Sequence, residues 1–122
     1  MANFRELRVW QRAKDLSIKI YKLTNTDSLA KDFNLKDQLR RSSLSIASNI
    51  AEGDELDTEK QALRHLYMAK GSAAELYTQI IIAKETDIIP ENVFDDISDD
   101  CEAIISMLHK LIRVKAVRIK KE

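Results

Sequence analysis

Apolar residues recur at helical spacing in four stretches of the chain. In the third stretch the steps between them alternate between four and three residues without a break from Ala62 to Ala83, which is typical of an amphipathic helix. The four patterns predict helices over residues 4–24, 35–53, 58–85 and 90–113. Short connections near residues 54–57 and 86–89 make consecutive helices antiparallel neighbours. The sequence therefore predicts an all-α, antiparallel up-down-up-down four-helix bundle.

Local signals indicate where these helices end. Asn3, with Glu6 three positions later, predicts a capping box at the start of the first helix. Residues 24–28 favour local side-chain hydrogen bonds, so we expect the longest loop there. Gly53 predicts the end of the second helix, because glycine is common just past a helix C-terminus. From Val114 onward we expect the tail to fray.

Small and polar residues interrupt two of the predicted helices. Residues 42–51 are mostly Ser, Ala and Ile, which allows either a close approach by a neighbouring helix or a polar network between helices. Gly71 lies in the middle of the third helix, where glycine costs about 1 kcal/mol relative to alanine. We expect another helix to cross at Gly71.

Length and composition limit the architecture. The 122 residues suffice for one compact core, so we expect a single domain over residues 1–122. Two glycines and one proline are too few for the turns of an all-β fold or for a glycine-rich phosphate loop. Twenty basic and twenty acidic residues give zero net charge. This balance argues against coating nucleic acid through global charge, although a local basic patch stays open.

The sequence also bears on the cellular compartment. Cys101 is the single cysteine and cannot form an intramolecular disulfide, and the first eight residues lack the apolar stretch of a secretory signal. The longest apolar runs have four or five residues, whereas a membrane-spanning helix needs about 20. We expect a cytoplasmic protein without a membrane partner.

The chemistry-bearing residues do not form a familiar catalytic or metal-binding pattern. The residues three positions before His65 and His109 are alanine and serine, so the Glu-x-x-His pairs of di-iron bundles are absent. Residues 28–31 match Ser-x-x-Lys but lack the companion motifs of that enzyme class. Cys101 falls on the apolar seam of the fourth helix, as a small buried residue would. We predict no catalytic residue, no metal site and no cofactor.

Two carboxylates lie close to the predicted buried stripes. A carboxylate in that position needs a cationic partner, and nearby basic residues could supply it. We therefore predict a structural ion-pair network, and the alternative is a pair of catalytic carboxylates, Glu52 and Glu75, in a crevice. The network would contain Arg40, Arg41, Glu52, Lys70 and Glu75.

Two groups of basic residues are candidates for nucleic-acid contact. One is a compact group on the second helix, and the other is a denser run at the end of the fourth helix. For the second group, a solvated helix end and an RNA-binding tail are the alternatives. The residues concerned are Lys36, Arg40, Arg41, Arg113, Lys115 and Arg118.

Apolar residues lie on more than one face of two helices. Leu7, Trp10 and Tyr21 widen the stripe of the first helix, and Tyr67, Tyr77 and Ile81 lie off the seam of the third. Apolar surface of this extent is typical of a face that another subunit covers. The residues alone therefore predict a homo-oligomer.

Three ordered motifs make a family resemblance visible. The second helix contains the string Gln38-Leu39-Arg40-Arg41-Ser42-Ser43-Leu44-Ser45-Ile46-Ala47-Ser48-Asn49-Ile50-Ala51-Glu52-Gly53. Two further blocks are Phe4, Leu7, Val9, Trp10, Gln11 and Ala13, and Ala69, Gly71, Ser72, Glu75, Leu76 and Gln79. Over roughly residues 4–112 the chain resembles the 23S rRNA-intervening-sequence proteins, a bacterial family of four-helix bundles.

The resemblance implies a cytoplasmic homopentamer without an established activity, acting as an interaction or scaffold protein. A related branch of the family serves retroelements by binding a reverse transcriptase and nucleic acid through a basic barrel. By analogy with that branch, RNA or a ribonucleoprotein is the alternative partner, although the zero net charge of this chain departs from the branch. The chain also has Ala47 where many relatives carry proline, and its loop before the second helix lacks their aromatic-proline turn. The resemblance supplies no catalytic residue.

Overall fold

The computed structural model describes residues 3–56 and 58–121, and most of that length is helical. Its first element is a short 3-10 turn, Phe4–Glu6. Five α-helices follow: α1 (Arg8–Leu23), α2 (Asp27–Lys31), α3 (Phe33–Glu55), α4 (Glu59–Glu85) and α5 (Glu91–Lys121).

The four long helices, α1, α3, α4 and α5, form an antiparallel bundle. Helix α3 packs against both α1 and α4, and α5 packs against both α4 and α1. Helices α1 and α4 therefore lie at opposite corners of the bundle. The predicted all-α helical bundle is confirmed.

The core follows the seams that the sequence predicts. All seven seam residues of α4 are at least 96% buried, and alternating alanines allow α3 and α5 to approach α4 closely. These residues are Ala62, Leu66, Ala69, Ala73, Leu76, Ile80 and Ala83. In α5 the same rule buries Ile97, Cys101, Ile104, Leu108 and Ile112.

The start of the chain differs from the predicted capping box. Asn3 Oδ1 accepts from Arg5 N at 3.1 Å and so caps the 3-10 turn rather than α1. Leu7 is extended, with φ −72° and ψ 126°, and α1 begins only at Arg8. The turn brings Phe4 onto Trp10, with ring centroids 5.0 Å apart. This aromatic contact accounts for the break that the prediction missed.

The connection between α1 and α3 also contains more helix than expected. The short helix α2 takes up part of the predicted loop and buries Leu29, which is 2% exposed. Asp32 Oδ1 then accepts from Leu35 N at 3.1 Å, so α3 begins at Phe33. Burial of one leucine outweighs the local preference of residues 24–28 for a loop.

The two glycines have roles opposite to those predicted. Gly53 lies inside α3, which continues to Glu55. A Cβ at Gly53 would lie 3.2 Å from both Ala62 O and His65 Cβ of α4, so the glycine permits close helix packing. Among the residues that the structure describes, a Cβ at Gly71 would meet nothing within 4 Å, so none of the described helices crosses there.

The C-terminal segment is helical where fraying was expected. Helix α5 continues to Lys121, eight residues beyond the predicted end at 113. After Pro90 the chain has neither proline nor glycine to end the helix. Lys115 Nζ lies 3.2 Å from Glu59 Oε2, which fixes this part of α5 to the start of α4.

Candidate functional site

A row of polar side chains runs along the contact between α3 and α4. Ser42 Oγ donates to Gln79 Oε1 at 2.8 Å. Ser45 Oγ and Ser72 Oγ lie 2.9 Å apart, one donating to the other. The small residues of α3 therefore serve both alternatives left open by the sequence, since they pack closely and also form a polar network between helices.

Asn49 and His65 continue this row. Asn49 is 7% exposed, and its Nδ2 donates to Ser45 O at 2.9 Å. Its Oδ1 therefore faces His65 Nδ1, at 3.0 Å, as an acceptor. His65 Nδ1 must carry the proton, and Glu52 Oε2 accepts from the same nitrogen at 3.3 Å. The histidine therefore positions α4 on α3 through Nδ1.

The predicted ion-pair network is not formed. Among the described residues no ion pair joins any two of its five members, because each finds a different partner or faces solvent. Arg41 Nη1 lies 3.6 Å from Asp37 Oδ2, one turn away on the same helix. Lys70 Nζ lies 3.5 Å from His109 Nδ1. Glu52 pairs with His65, and Glu75 is exposed.

Arg40 instead binds the end of α1. Its Nε donates to Thr24 Oγ1 at 2.8 Å, and its Nη2 donates to Asn25 Oδ1 at 2.8 Å and to Tyr21 O at 3.3 Å. The guanidinium also lies 4.6 Å from the centroid of the Tyr21 ring. Thr24 is fully buried. Nε and Nη2 of Arg40 are used inside the subunit, so Arg40 has a structural role.

The other basic candidates lie in two separate places. Lys36 and Arg41 are on α3, whereas Arg113 and Arg118 are exposed on the last three turns of α5. Lys115 forms an ion pair with Glu59 of α4. Lys110, Arg113 and Arg118 line a shallow depression together with Val114 and Val117, which are 49% and 52% exposed.

The charges of α5 are separated along its length. Its first twelve residues, 91–102, contain acidic residues and no basic ones, and residues 110–121 contain basic residues and no acidic ones. Helix α1 supplies cationic partners for the acidic half: Asp100 lies 3.2 Å from Arg12 Nη2 and 2.7 Å from Lys19 Nζ. Lys19 also reaches Asp96 at 3.0 Å. Although the net charge of the chain is zero, the C-terminal end of α5 is therefore basic and has few acidic partners among the described residues.

The contact with α5 also changes the pKa of Lys19. Burial alone would lower the pKa of Lys19, but its hydrogen bonds to Asp100 and Asp96 outweigh burial and raise the pKa. The ammonium group is therefore held in its charged form.

An apolar groove runs between α1 and α3. Its volume is about 650 Å³. Most of its lining is apolar, and the small side chains on the α3 side leave the groove open there. The lining includes Phe4, Trp10, Ile18, Tyr21, Leu44 and Ser48. Ile18 and Leu44 are 46% and 49% exposed. Neither residue was predicted to face a partner, although each is a large apolar residue off the buried stripe of its helix.

The residues with reactive side chains are separated from one another. Cys101 is fully buried, and burial raises the pKa of its thiol to about 12, so the sulfur stays protonated. Glu52 and Glu75 are both exposed. Within residues 3–56 and 58–121, no three His, Cys, Asp or Glu side chains come together as a metal site would require. Over the same residues no helix is long and apolar enough to cross a bilayer.

The comparisons with known proteins agree with this fold. A solved structure from Bacteroides thetaiotaomicron, described as a protein of unknown function from the S23 ribosomal protein family, superposes with a TM-score of 0.79. It is 23% identical, and the match covers 85% of this chain and 97% of that one. At this identity the likeness concerns the fold alone. No curated protein matches the chain.

The family model described as 23S rRNA-intervening sequence protein matches residues 5–110. This match takes in the Arg-Arg helix with its Ser-Asn-Ile-Ala-Glu-Gly ending, now placed on α3 against α1 and α4. The resemblance drawn from the motifs is confirmed, and the chain belongs to the family of 23S rRNA-intervening sequence proteins.

Proposed function

We propose that this protein is a non-enzymatic scaffold whose identical subunits assemble with one another. The family resemblance implies five subunits. The apolar groove between α1 and α3 carries the proposal, because a soluble protein rarely leaves a continuous apolar surface of this kind uncovered. Tyr21, Ile18 and Leu44 are each more than one third exposed in the isolated subunit. Covering these side chains stabilises the assembly by about 25 cal/mol for each Å² of apolar surface that is removed from water.

Light scattering coupled to size-exclusion chromatography tests this proposal. We expect the wild type to elute with a mass several times 14.0 kDa and to keep that mass on dilution to the micromolar range. Native mass spectrometry then counts the subunits. A wild-type protein that is monomeric at micromolar concentration contradicts the proposal.

A second candidate function is binding of RNA or of a ribonucleoprotein at the basic end of α5. It is favoured by the exposed face of Lys110, Arg113 and Arg118, which has few acidic neighbours in the described residues. Arg40 is a weaker candidate for such binding, because its Nε and Nη2 already donate within the subunit. A phosphate-binding face needs free cationic side chains, and α5 supplies them.

Fluorescence anisotropy with a structured RNA tests this second function. We expect binding that weakens with rising salt. For the Arg113→Ala/Arg118→Ala variant the log–log slope against salt should become shallower by about 1 for each phosphate that is no longer neutralised. Arg41→Ala on α3 is the comparison variant. Absence of any binding at low salt contradicts this function.

A further inference from the structure

A second exposed surface runs along the outer side of α4. From Tyr67 to Ile82 its residues follow one another at steps of three and four, with Met68 beside Tyr67, so they form one continuous stripe that faces away from the bundle. Tyr67, Met68 and Ile82 are 55%, 50% and 53% exposed. Gly71, Ala74 and Thr78 lie between them and are also exposed. We call this surface the α4 stripe.

Gly71 lies at the centre of the α4 stripe. Within a helix, glycine destabilises by about 1 kcal/mol relative to alanine. Packing among the described residues does not require a glycine at this position, since a Cβ there would meet no atom within 4 Å. At Gly53, by contrast, the missing side chain lets α4 approach closely. Tyr67 and Met68 lie one turn before Gly71, and the small Ala74 lies one turn after it. A low helix surface beside large apolar side chains fits a close contact with a second helix or groove.

The charges of the α4 stripe complement those of the groove. The stripe begins with Lys60 and Arg64 and ends with Glu85. The groove has Lys22 at the end nearest Tyr21, and at its other end Glu55 extends the α3 wall by one turn. None of these charges has an ion-pair partner among the described residues. Opposite charges meet when α4 of one copy lies in the groove parallel to α1 of the next.

This orientation agrees with the fold. In an up-down-up-down bundle α1 and α4 run in the same direction, and rotation about an axis along the bundle preserves that direction. Helices α1 and α4 also lie at opposite corners, so the groove and the α4 stripe face different ways. A contact between two different surfaces is heterologous, and it closes into a ring when the rotation per subunit divides a full turn.

We infer that the α4 stripe of one copy occupies the apolar groove between α1 and α3 of the next copy in a closed ring. The inference rests on the proposed assembly of identical subunits and names the two surfaces that meet. Each copy then offers one groove and one stripe, and every copy in the ring has both covered.

Two single variants, each damaging one surface, test the inference. Leu44→Arg places a charge in the groove wall, and Ile82→Arg places one in the α4 stripe. Both residues are about half exposed, at 49% and 53%, so neither change removes a core side chain. We expect each variant to raise the dissociation constant of assembly about 100-fold or more. Val117→Arg, on an equally exposed valine of α5, is the matched control and should assemble as the wild type does.

Mixing the two variants gives the decisive measurement. Leu44→Arg retains an intact stripe, and Ile82→Arg retains an intact groove. An equimolar mixture should therefore form a dimer with one copy of each variant, detected by native mass spectrometry, and no closed ring. If both variants keep the wild-type mass, or if the mixture contains monomers only, the inference is wrong.

The same measurements separate this inference from the proposed function. A monomeric wild type overturns the assembly itself, whereas an oligomeric wild type with unaffected variants overturns only the choice of surfaces. Gly71→Gln is a second stripe variant, with an intact helical circular dichroism spectrum as its folding check. We expect it to weaken assembly as Ile82→Arg does, and wild-type assembly by Gly71→Gln would count against the close contact.

Discussion

Arg40 of α3 and Thr24 at the end of α1 are joined by a hydrogen bond of 2.8 Å from Nε to Oγ1. Thr24 is fully buried, and its own hydroxyl donates to Ile20 O at 2.8 Å. Arg40 therefore holds the C-terminal end of α1 against α3, the helix that carries the family motif. Its neighbour Arg41 faces solvent and forms an ion pair with Asp37 of its own helix.

The first prediction compares these adjacent arginines. Arg40→Ala should lower the free energy of unfolding by about 1.5–3 kcal/mol, because it removes hydrogen bonds from a charged donor to Thr24 and Asn25. Arg41→Ala should change it by no more than about 0.5 kcal/mol. Urea denaturation followed by circular dichroism measures both. Equal losses of stability for the two variants would contradict the structural role of Arg40.

The second prediction concerns the bond between Asn49 and His65. Asn49→Ala removes two contacts, the donation from Asn49 Nδ2 to Ser45 O and the contact of Oδ1 with His65 Nδ1, so we expect a loss of about 1–3 kcal/mol in the free energy of unfolding. Asn34→Ala, at an exposed asparagine in the first turn of the same helix, is the control and should be nearly neutral. A neutral result at both positions would show that the contact adds nothing to stability.

The third prediction uses the two glycines. In the Leu44→Arg background, which we expect to weaken assembly, Gly71→Ala should stabilise the subunit by up to about 1 kcal/mol through helix propensity. Gly53→Ala gains the same propensity but forces α3 and α4 apart, since its Cβ would lie 3.2 Å from a backbone carbonyl oxygen of α4. Overpacking of this kind costs about 1–3 kcal/mol, so we expect a net loss. Thermal unfolding should shift in opposite directions for the two variants.

The fourth prediction concerns pH and the buried thiol. The pKa of Cys101 is about 12 in the folded protein and 9.0 for an ordinary thiol. Between these values the unfolded chain loses a proton that the folded protein keeps, so Cys101 makes stability fall as pH rises, by up to about 1.4 kcal/mol per pH unit. The stability difference between wild type and Cys101→Ala should therefore shrink above about pH 9.

Urea denaturation of both proteins at several alkaline pH values measures this difference, and the other titrating groups cancel in the comparison. A difference that stays constant through this range would contradict the burial of the thiol. Alkylating reagents should modify Cys101 only in the unfolded protein, because the reactive thiolate does not form in the core.

The sequence predicts the helices most reliably where packing repeats. The alternating seam of α4 alone identifies its buried face, since every seam position is either alanine or a large apolar residue. The α1–α3 connection is predicted poorly because burial of Leu29 is a tertiary effect that local propensities do not contain. The end of α5 is missed for a related reason, since Lys115 is held by Glu59 on another helix.

The candidate sites are harder to derive than the fold. The presence of Arg40, Glu52 and Lys70 on facing helices is visible in the sequence, but their partners depend on helix rotation and side-chain reach. Arg40, for example, was expected to pair with a carboxylate, but the rotation of α3 directs it to the hydroxyl of Thr24. The groove is missed in part because exposed Ile18 and Leu44 look like ordinary surface residues until α1 and α3 are placed side by side.

The separated charges of α5 make one seam of the bundle sensitive to ionic strength. Helix α1 is attached to α5 through the ion pairs of Arg12 and Lys19, whereas α4 has a long seam of buried alanines and large apolar residues against α5 in addition to its ion pairs Lys84–Glu91 and Glu59–Lys115. Salt screens the first kind of contact and leaves the second intact. Amide hydrogen exchange in concentrated salt should therefore speed up in α1 before it does in α4, and the loosened helix is one of the two that form the groove.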